Sequence, residues 1–344
     1  MAISAARNSH DRDSESQFLI NLGLSFDNLG SWEEAIKCFE ESKAICQDLN
    51  DLRGVSTALT NLANLYRVQG LWDRASQMFQ GSLNILKPLK DDSGVASALS
   101  GLAAVYAEQG HWKKAIQTYE DSLRIHRKLK DRYGEAMALN DLGNVYRQSS
   151  RLDKAIKVYQ DGLTIFQQLK SPKGEQMALR GLGNAYADQG RWQEATQKYE
   201  HALQICRQLK DPYIEGHILN NLGRVYIDCG DLDGATQTFL DSLRTKQLLG
   251  DRLGQAKTLN NLGEIYRRQQ LWEEALKMYQ ESLSIKQELE DTHSEGATLV
   301  NICLLYDEQG QKEKAEEFAQ NALTKLRKDS STYRDVVKWL QSRS

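Results

Sequence analysis

One spacing constrains this chain more than any other. Set in rows of 40 residues, the sequence falls into columns without an insertion. One column reads Leu22, Leu62, Leu102, Leu142, Leu182, Leu222, Leu262 and Ile302, and the next holds Gly23, Ala63, Ala103, Gly143, Gly183, Gly223, Gly263 and Cys303. Four places after the leucines stand Phe26 and then tyrosine in each later row, from Tyr66 to Tyr306. A further column is alanine in every row: Ala35, Ala75, Ala115, Ala155, Ala195, Ala235, Ala275 and Ala315. A period of this length marks a chain built from stacked supersecondary units, each too small to bury its own apolar face.

The columns also show what each unit is. Leu142, Gly143 and Tyr146 fall on one stripe of a helix. A small residue beside the leucine, and an alanine on the following helix, let two helices approach closely. Gly30, Gly70, Gly110, Gly190, Gly230 and Gly310 end the first helix of their rows, where a left-handed residue is wanted. Ser150 and Gln270 replace glycine in two rows, so those turns are expected to be strained or differently shaped. Trp32, Trp72, Trp112, Trp192 and Trp272 follow two residues later and should pack at the hairpin bend, with Leu152 and Leu232 taking the place in two rows. Asp51, Asp91, Asp131, Asp211, Asp251 and Asp291 open the next first helix, where a carboxylate can accept a backbone N–H and favours the helix dipole. Ser171 can do the same, with Pro172 suited to the first turn.

These signals place first helices at 15–29, 52–69, 92–109, 132–149, 172–189, 212–229, 252–269 and 292–309. Residues 1–13 read as a flexible tail, 14–328 as eight hairpins, and 329–344 as a helix capping the last of them. Lys312 and Ala319 make the last hairpin more polar, as a terminal unit should be.

Composition narrows the function classes. With 44 basic and 47 acidic residues the formal net charge is −3, which gives no reason to invoke nucleic acid or an anionic membrane. No continuous basic stripe with interleaved aromatics is present. No apolar run approaches a membrane span, and Met1–Asp13 lacks the apolar stretch of a secretory signal, so a cytoplasmic location is expected. Cys38, Cys46, Cys206, Cys229 and Cys303 form no CxxC pair and read as reduced thiols. No fingerprint of a metalloprotease, nucleotide-binding loop or nucleophile elbow occurs, and no histidine pairs with cysteine at zinc spacing. Acidic pairs such as Glu33–Glu34 and Glu273–Glu274 begin second helices, where they favour the dipole. No cofactor or metal is expected.

The row Leu-Gly-Asn-Val-Tyr at 142–146, followed by Ala155, Tyr159 and the small Gly162, resembles the tetratricopeptide family, and the likeness covers about residues 15–328. The 40-residue form is similar to the repeats of kinesin light chains and of Pins-type spindle scaffolds. The resemblance implies an all-α right-handed superhelical solenoid, first helices lining a concave groove, peptide binding there and no enzymatic activity. It places in the groove the residues just before the key leucine and two, five and six after it. These include Asn64 and Arg67, then Asn140, Asn144 and Arg147, then Arg180 and Asn184. Further along come Asn220, Asn221 and Arg224, and Asn260, Asn261 and Arg267.

An asparagine amide can both donate to and accept from a peptide backbone, and arginine recognises carboxylates. A protein partner with acidic residues is therefore expected. The alternative for Asn61, Asn221, Asn261 and Asn301 is that they bond neighbouring helices within the stack; for Arg147, that it is solvated or paired across the groove. A carboxylate clamp of the chaperone-tail type would match Arg180, Asn184 and Asn221, but Glu264 stands where that pattern wants a cation. Two other roles are open, the first suggested by the resemblance to sensing arrays of bacterial signalling proteins and the second by end-to-end stacking of solenoids. One is a sensor acting in trans on an effector enzyme. The other is self-association through the terminal repeats.

Overall fold

The computed structural model of the protein describes residues 11–342. Most of the expected tail, residues 1–10, lies outside the described residues. Seventeen α-helices and no strands occur among the described residues. First and second helices alternate: α1 Arg12–Asn28, α2 Trp32–Asp48, α3 Leu52–Val68, α4 Trp72–Leu86, α5 Asp92–Glu108, α6 Trp112–Leu129, α7 Arg132–Gln148, α8 Leu152–Gln168, α9 Pro172–Asp188 and α10 Trp192–Leu209. The order continues with α11 Pro212–Cys229, α12 Leu232–Leu248, α13 Arg252–Arg268, α14 Trp272–Glu288, α15 Thr292–Glu308, α16 Lys312–Lys325 and α17 Ser331–Gln341. The first helix starts at Arg12, inside the stretch read as tail, because Asp11 accepts the backbone N–H of Ser14 at 3.1 Å and caps it. No helix among the described residues is long and apolar enough to cross a membrane.

The alanine column explains the close hairpins. All eight alanines, from Ala35 to Ala315, are fully buried. The small residue beside the key leucine faces an aromatic ring of the second helix. A Cβ on Gly143 would come within 2.6 Å of the Tyr159 ring, and one on Gly263 within 2.6 Å of Tyr279. Serines add backbone bonds inside the hairpin: Ser122 Oγ donates to the Ala96 carbonyl at 2.8 Å and Ser282 Oγ to that of Ala256 at 2.7 Å.

Both kinds of turn use one motif. Within a hairpin, Ser31 N–H reaches the Phe26 carbonyl and Gly30 N–H that of Asp27, both at 2.9 Å. Between hairpins, Asp131 N–H reaches the His126 carbonyl at 2.9 Å and Lys130 N–H that of Arg127 at 3.1 Å. These are paired bonds around a left-handed residue. Ser150 and Gln270 take φ of 59° and 60°, so their turns keep the shape of the glycine turns and carry only the local cost of a side chain there. The aspartates serve both neighbours. Asp131 closes α6 through its N–H and caps α7 by accepting the Gly134 N–H at 2.9 Å. The tryptophans at the bend are less covered than their size suggests, with Trp32 and Trp72 about two-fifths exposed.

The chain divides into two compact units, Met1–Gly181 and Leu182–Ser344, with the division inside α9. In the first unit, clusters such as Phe79, Leu83, Leu102 and Val105 fill the space between successive hairpins. In the second, Phe239, Leu262 and Ile265 do so. Helix α17 lays Tyr333, Val336, Trp339 and Leu340 over Leu299, Cys303, Ala319 and Leu326, covering the last hairpin.

Candidate functional site

The expected ligand-binding residues lie along the first helices, and each unit treats them differently. In the first unit, Asn64 and Arg67 sit half-buried on α3. Arg67 is ion-paired with Glu108 of α5. On α7, Asn140 is only 4 % exposed, and its amide bonds the neighbouring Asp141. Burial pushes the Asp141 carboxyl up to about 6, against the opposing pull of Asn140 and of the Arg67 guanidinium. Asn144 is not wholly available to a ligand, since its Oδ1 accepts the Tyr159 hydroxyl at 2.7 Å. Arg147 and Arg180 are half-buried, and Arg180 makes no ion pair among the described residues.

In the second unit the asparagines bond one another. Asn221 Nδ2 donates to Asn184 Oδ1 at 3.1 Å, and the Tyr199 hydroxyl donates to the same oxygen at 2.6 Å. Asn261 Nδ2 donates to Asn220 Oδ1 at 3.3 Å, and Asn301 Nδ2 to Asn260 Oδ1 at 3.1 Å. The stacking role weighed for Asn221, Asn261 and Asn301 is what these bonds perform. They also have a directional effect. With their oxygens engaged, Asn220 and Asn260 keep amide N–H groups to offer, so the stripe presents donors.

Its cations divide into paired and unpaired. Arg267 is ion-paired with Glu264 at 2.8 Å and also with Glu308, and Arg268 with Glu264 at 2.8 Å. The two guanidiniums hold the Glu264 carboxyl below its usual range, outweighing its burial. The positive charge of Arg267, expected to face a ligand, is therefore neutralised at this point. Arg224 and Lys257 are exposed on the same helices and make no ion pair among the described residues.

Sequence reasoning passed over two residues beside this stripe. Lys246 and Lys286, on second helices α12 and α14, are 5 % and 4 % exposed. Read alone, a mid-helix lysine suggests a solvated face. Read in its column, it replaces Leu86 and Phe166, and that was the available signal. A depression of about 540 Å³ in the first unit lies away from the stripe, between α6 and α8, where Arg127, Lys154 and Lys157 rim a floor of Leu139 and Leu142. No group of histidine, cysteine, aspartate or glutamate among the described residues could hold a metal ion. No disulfide joins any of the five cysteines, and Cys229 is exposed.

Paired helices with a glycine-turn, an invariant alanine and a small–aromatic contact define a class of helical-hairpin repeat proteins. The Tetratricopeptide repeat model matches residues 14–88, 94–168, 175–248 and 254–328, and the chain belongs to that family. No curated protein matches it. Among solved structures, BtubC (BKLC) from P. vanneervenii is similar at 23 % identity and TM-score 0.56, over 61 % of this chain and 89 % of that one. The signal transduction ATPase with a tetratricopeptide repeat sensor, PH0952 from Pyrococcus horikoshii, is similar at 15 % identity and TM-score 0.63. That match covers 83 % of this chain and 45 % of the other, so the chain spans under half of that protein. A Rap protein complexed with competence and sporulation factor is similar at 13 % identity and TM-score 0.58, over 96 % of both chains. At these identities the likenesses establish the fold.

Proposed function

We propose that this protein is a non-catalytic scaffold that binds an acidic peptide segment of a partner protein along its first helices. The observation that carries the reading is the second unit's stripe. Arg224 and Lys257 face outward without a carboxylate partner, beside asparagines whose oxygens are already engaged. Such a surface offers donors and positive charge together, which suits the carbonyls and carboxylates of a peptide. The Rap complex, in which a similar fold is crystallised with competence and sporulation factor, supports partner binding as a use of this architecture.

The test begins with capture of partners from the native cell on the purified full-length chain, followed by mapping of the bound segment. Replacing Arg224 and Lys257 together by alanine leaves the internal asparagine bonds in place. Helicity should be unchanged and capture of the mapped segment reduced at least about tenfold. Undiminished capture by the doubly substituted chain refutes the reading.

A further inference from the structure

Lys246 and Lys286 break the pattern of their column. The equivalent residues are Cys46, Leu86, His126, Phe166, Cys206 and Leu326, all buried. A second column changes with it. Where the helices that follow Cys46, Leu86, His126, Phe166 and Cys206 have Ala58, Ala98, Ala138, Ala178 and Ile218, the two helices that follow the lysines have Thr258 and Thr298. The pairs are in contact: Lys246 Nζ donates to Thr258 Oγ1 at 2.7 Å, and Lys286 Nζ is hydrogen-bonded to Thr298 Oγ1 and to the Ser294 carbonyl, the latter at 3.1 Å. A lysine introduced with its own acceptor, twice in succession, is a built feature rather than a stray surface charge.

Neither amine has a carboxylate within ion-pair distance among the described residues. The charged groups that act on them are Asp251 on Lys246, Asp291 on Lys286, and Lys257 on both. Both aspartates are committed to capping, accepting the Gly254 N–H at 2.8 Å and the Ser294 N–H at 3.1 Å. Lys257, exposed on α13, therefore acts on both buried amines, and each of these has only its own committed aspartate as a nearby negative charge. Burying a cation without a close counter-charge is costly, and burial with the Lys257 charge pushes both amines down to about 8. The cluster leads to the exposed stripe. The Thr298 hydroxyl lies 3.3 Å from Asn260 Oδ1, and Lys257 stands one helical turn before Asn260 and Asn261.

We infer that Lys246, Lys257 and Lys286, with the amide N–H group of Asn260, form a site for a carboxylate side chain of a bound acidic peptide. The inference rests on the scaffold reading and names the point at which such a peptide is anchored. Lys257 meets the carboxylate directly, and the two buried amines supply charge and donors from beneath. A carboxylate there replaces the counter-charge that the protein itself lacks.

The probe is N-acetylated hexaglutamate, with hexaglutamine as control, titrated into the full-length chain at low ionic strength, where charge pairing is least screened. The expected result is binding of hexaglutamate alone, with the Nζ resonances of Lys246 and Lys286 titrating at higher pH in the complex. Lys257→Gln, on an exposed position, should weaken binding about tenfold, and K246M/K286M should weaken it as much or more. Leu86 and Leu326 show that an apolar side chain fits this column, so the methionine variant should fold. Hexaglutamate binding that is unaffected by these lysine changes, with unmoved Nζ titrations, overturns the site while leaving the scaffold reading intact. No hexaglutamate binding also overturns the site. Capture of the native partner judges the scaffold reading separately.

Discussion

The same buried position is filled differently in the two units, because the second has Lys246 and Lys286 there beside Cys206 and Leu326. In the first, Cys46, Leu86, His126 and Phe166 occupy it, and the residues across from them at 58, 98, 138 and 178 are alanines. Phe166 lies so close to Gly174 that a Cβ there would meet its ring at 2.1 Å, and Tyr133 packs edge-on at 5.9 Å. In the second unit, Lys246 runs its stem past Gly216 and Gly254 and ends on a threonine hydroxyl. A repeat fold fixes the backbone around this position. Whether it holds hydrocarbon or charge is then decided by one residue on the neighbouring helix.

The largest effect should come from breaking the contrast outright. Phe166→Lys places an ammonium opposite Ala178, which offers no acceptor, and removes a well-packed ring. A loss of about 3–5 kcal/mol is expected, read as a lowered urea midpoint with the helical signal otherwise native. A loss below about 1 kcal/mol would show that the threonine is irrelevant to housing the lysine.

Next is a pH dependence confined to the second unit. Lysine in the unfolded chain titrates near its ordinary value of about 10.4, and Lys246 and Lys286 near about 8 when folded. Between those values the unfolded chain binds more protons, so stability should rise with pH across that interval. Up to about 3 kcal/mol per lysine is at stake. The methionine double variant K246M/K286M should lose this rise and be the more stable chain at pH 7. A parallel rise in both proteins, followed by urea unfolding from pH 7 to 10, would contradict the assignment.

The smallest effect isolates the acceptor. Thr258→Val keeps the shape and removes the hydroxyl, at a cost of about 1–2 kcal/mol at pH 7. The Lys246 titration should move lower still, because only its charged form gains fully from the lost bond. An unmoved titration would mean that Thr258 fills space and nothing more.

The fold was legible because its signals are periodic. The alanine column, the left-handed turns and the capping aspartates each recur at one spacing, and the structure places each where its chemistry requires. The stripe was legible only in part. Residue types identified Asn220, Asn260 and Arg267 as polar and outward, but not which of them would find partners within the protein. That depends on distances between hairpins, expressed in sequence only as the 41-residue step from Asn220 to Asn261 and from Asn260 to Asn301. Lys246 and Lys286 were hidden for a different reason. A buried lysine is betrayed by its neighbours in the column and by the threonine twelve residues later, not by its own helix.

The joints between hairpins have a consequence of their own. Asn50, Lys90, Lys130, Lys170, Lys210, Gly250 and Glu290 all adopt φ between 51° and 68°, whatever their side chain. The connector is thus indifferent to the cassette on either side of it. A gene encoding such a chain can gain or lose whole multiples of 40 codons and still meet a matching splice at every seam, so length becomes an easily varied trait while the cross-section stays constant.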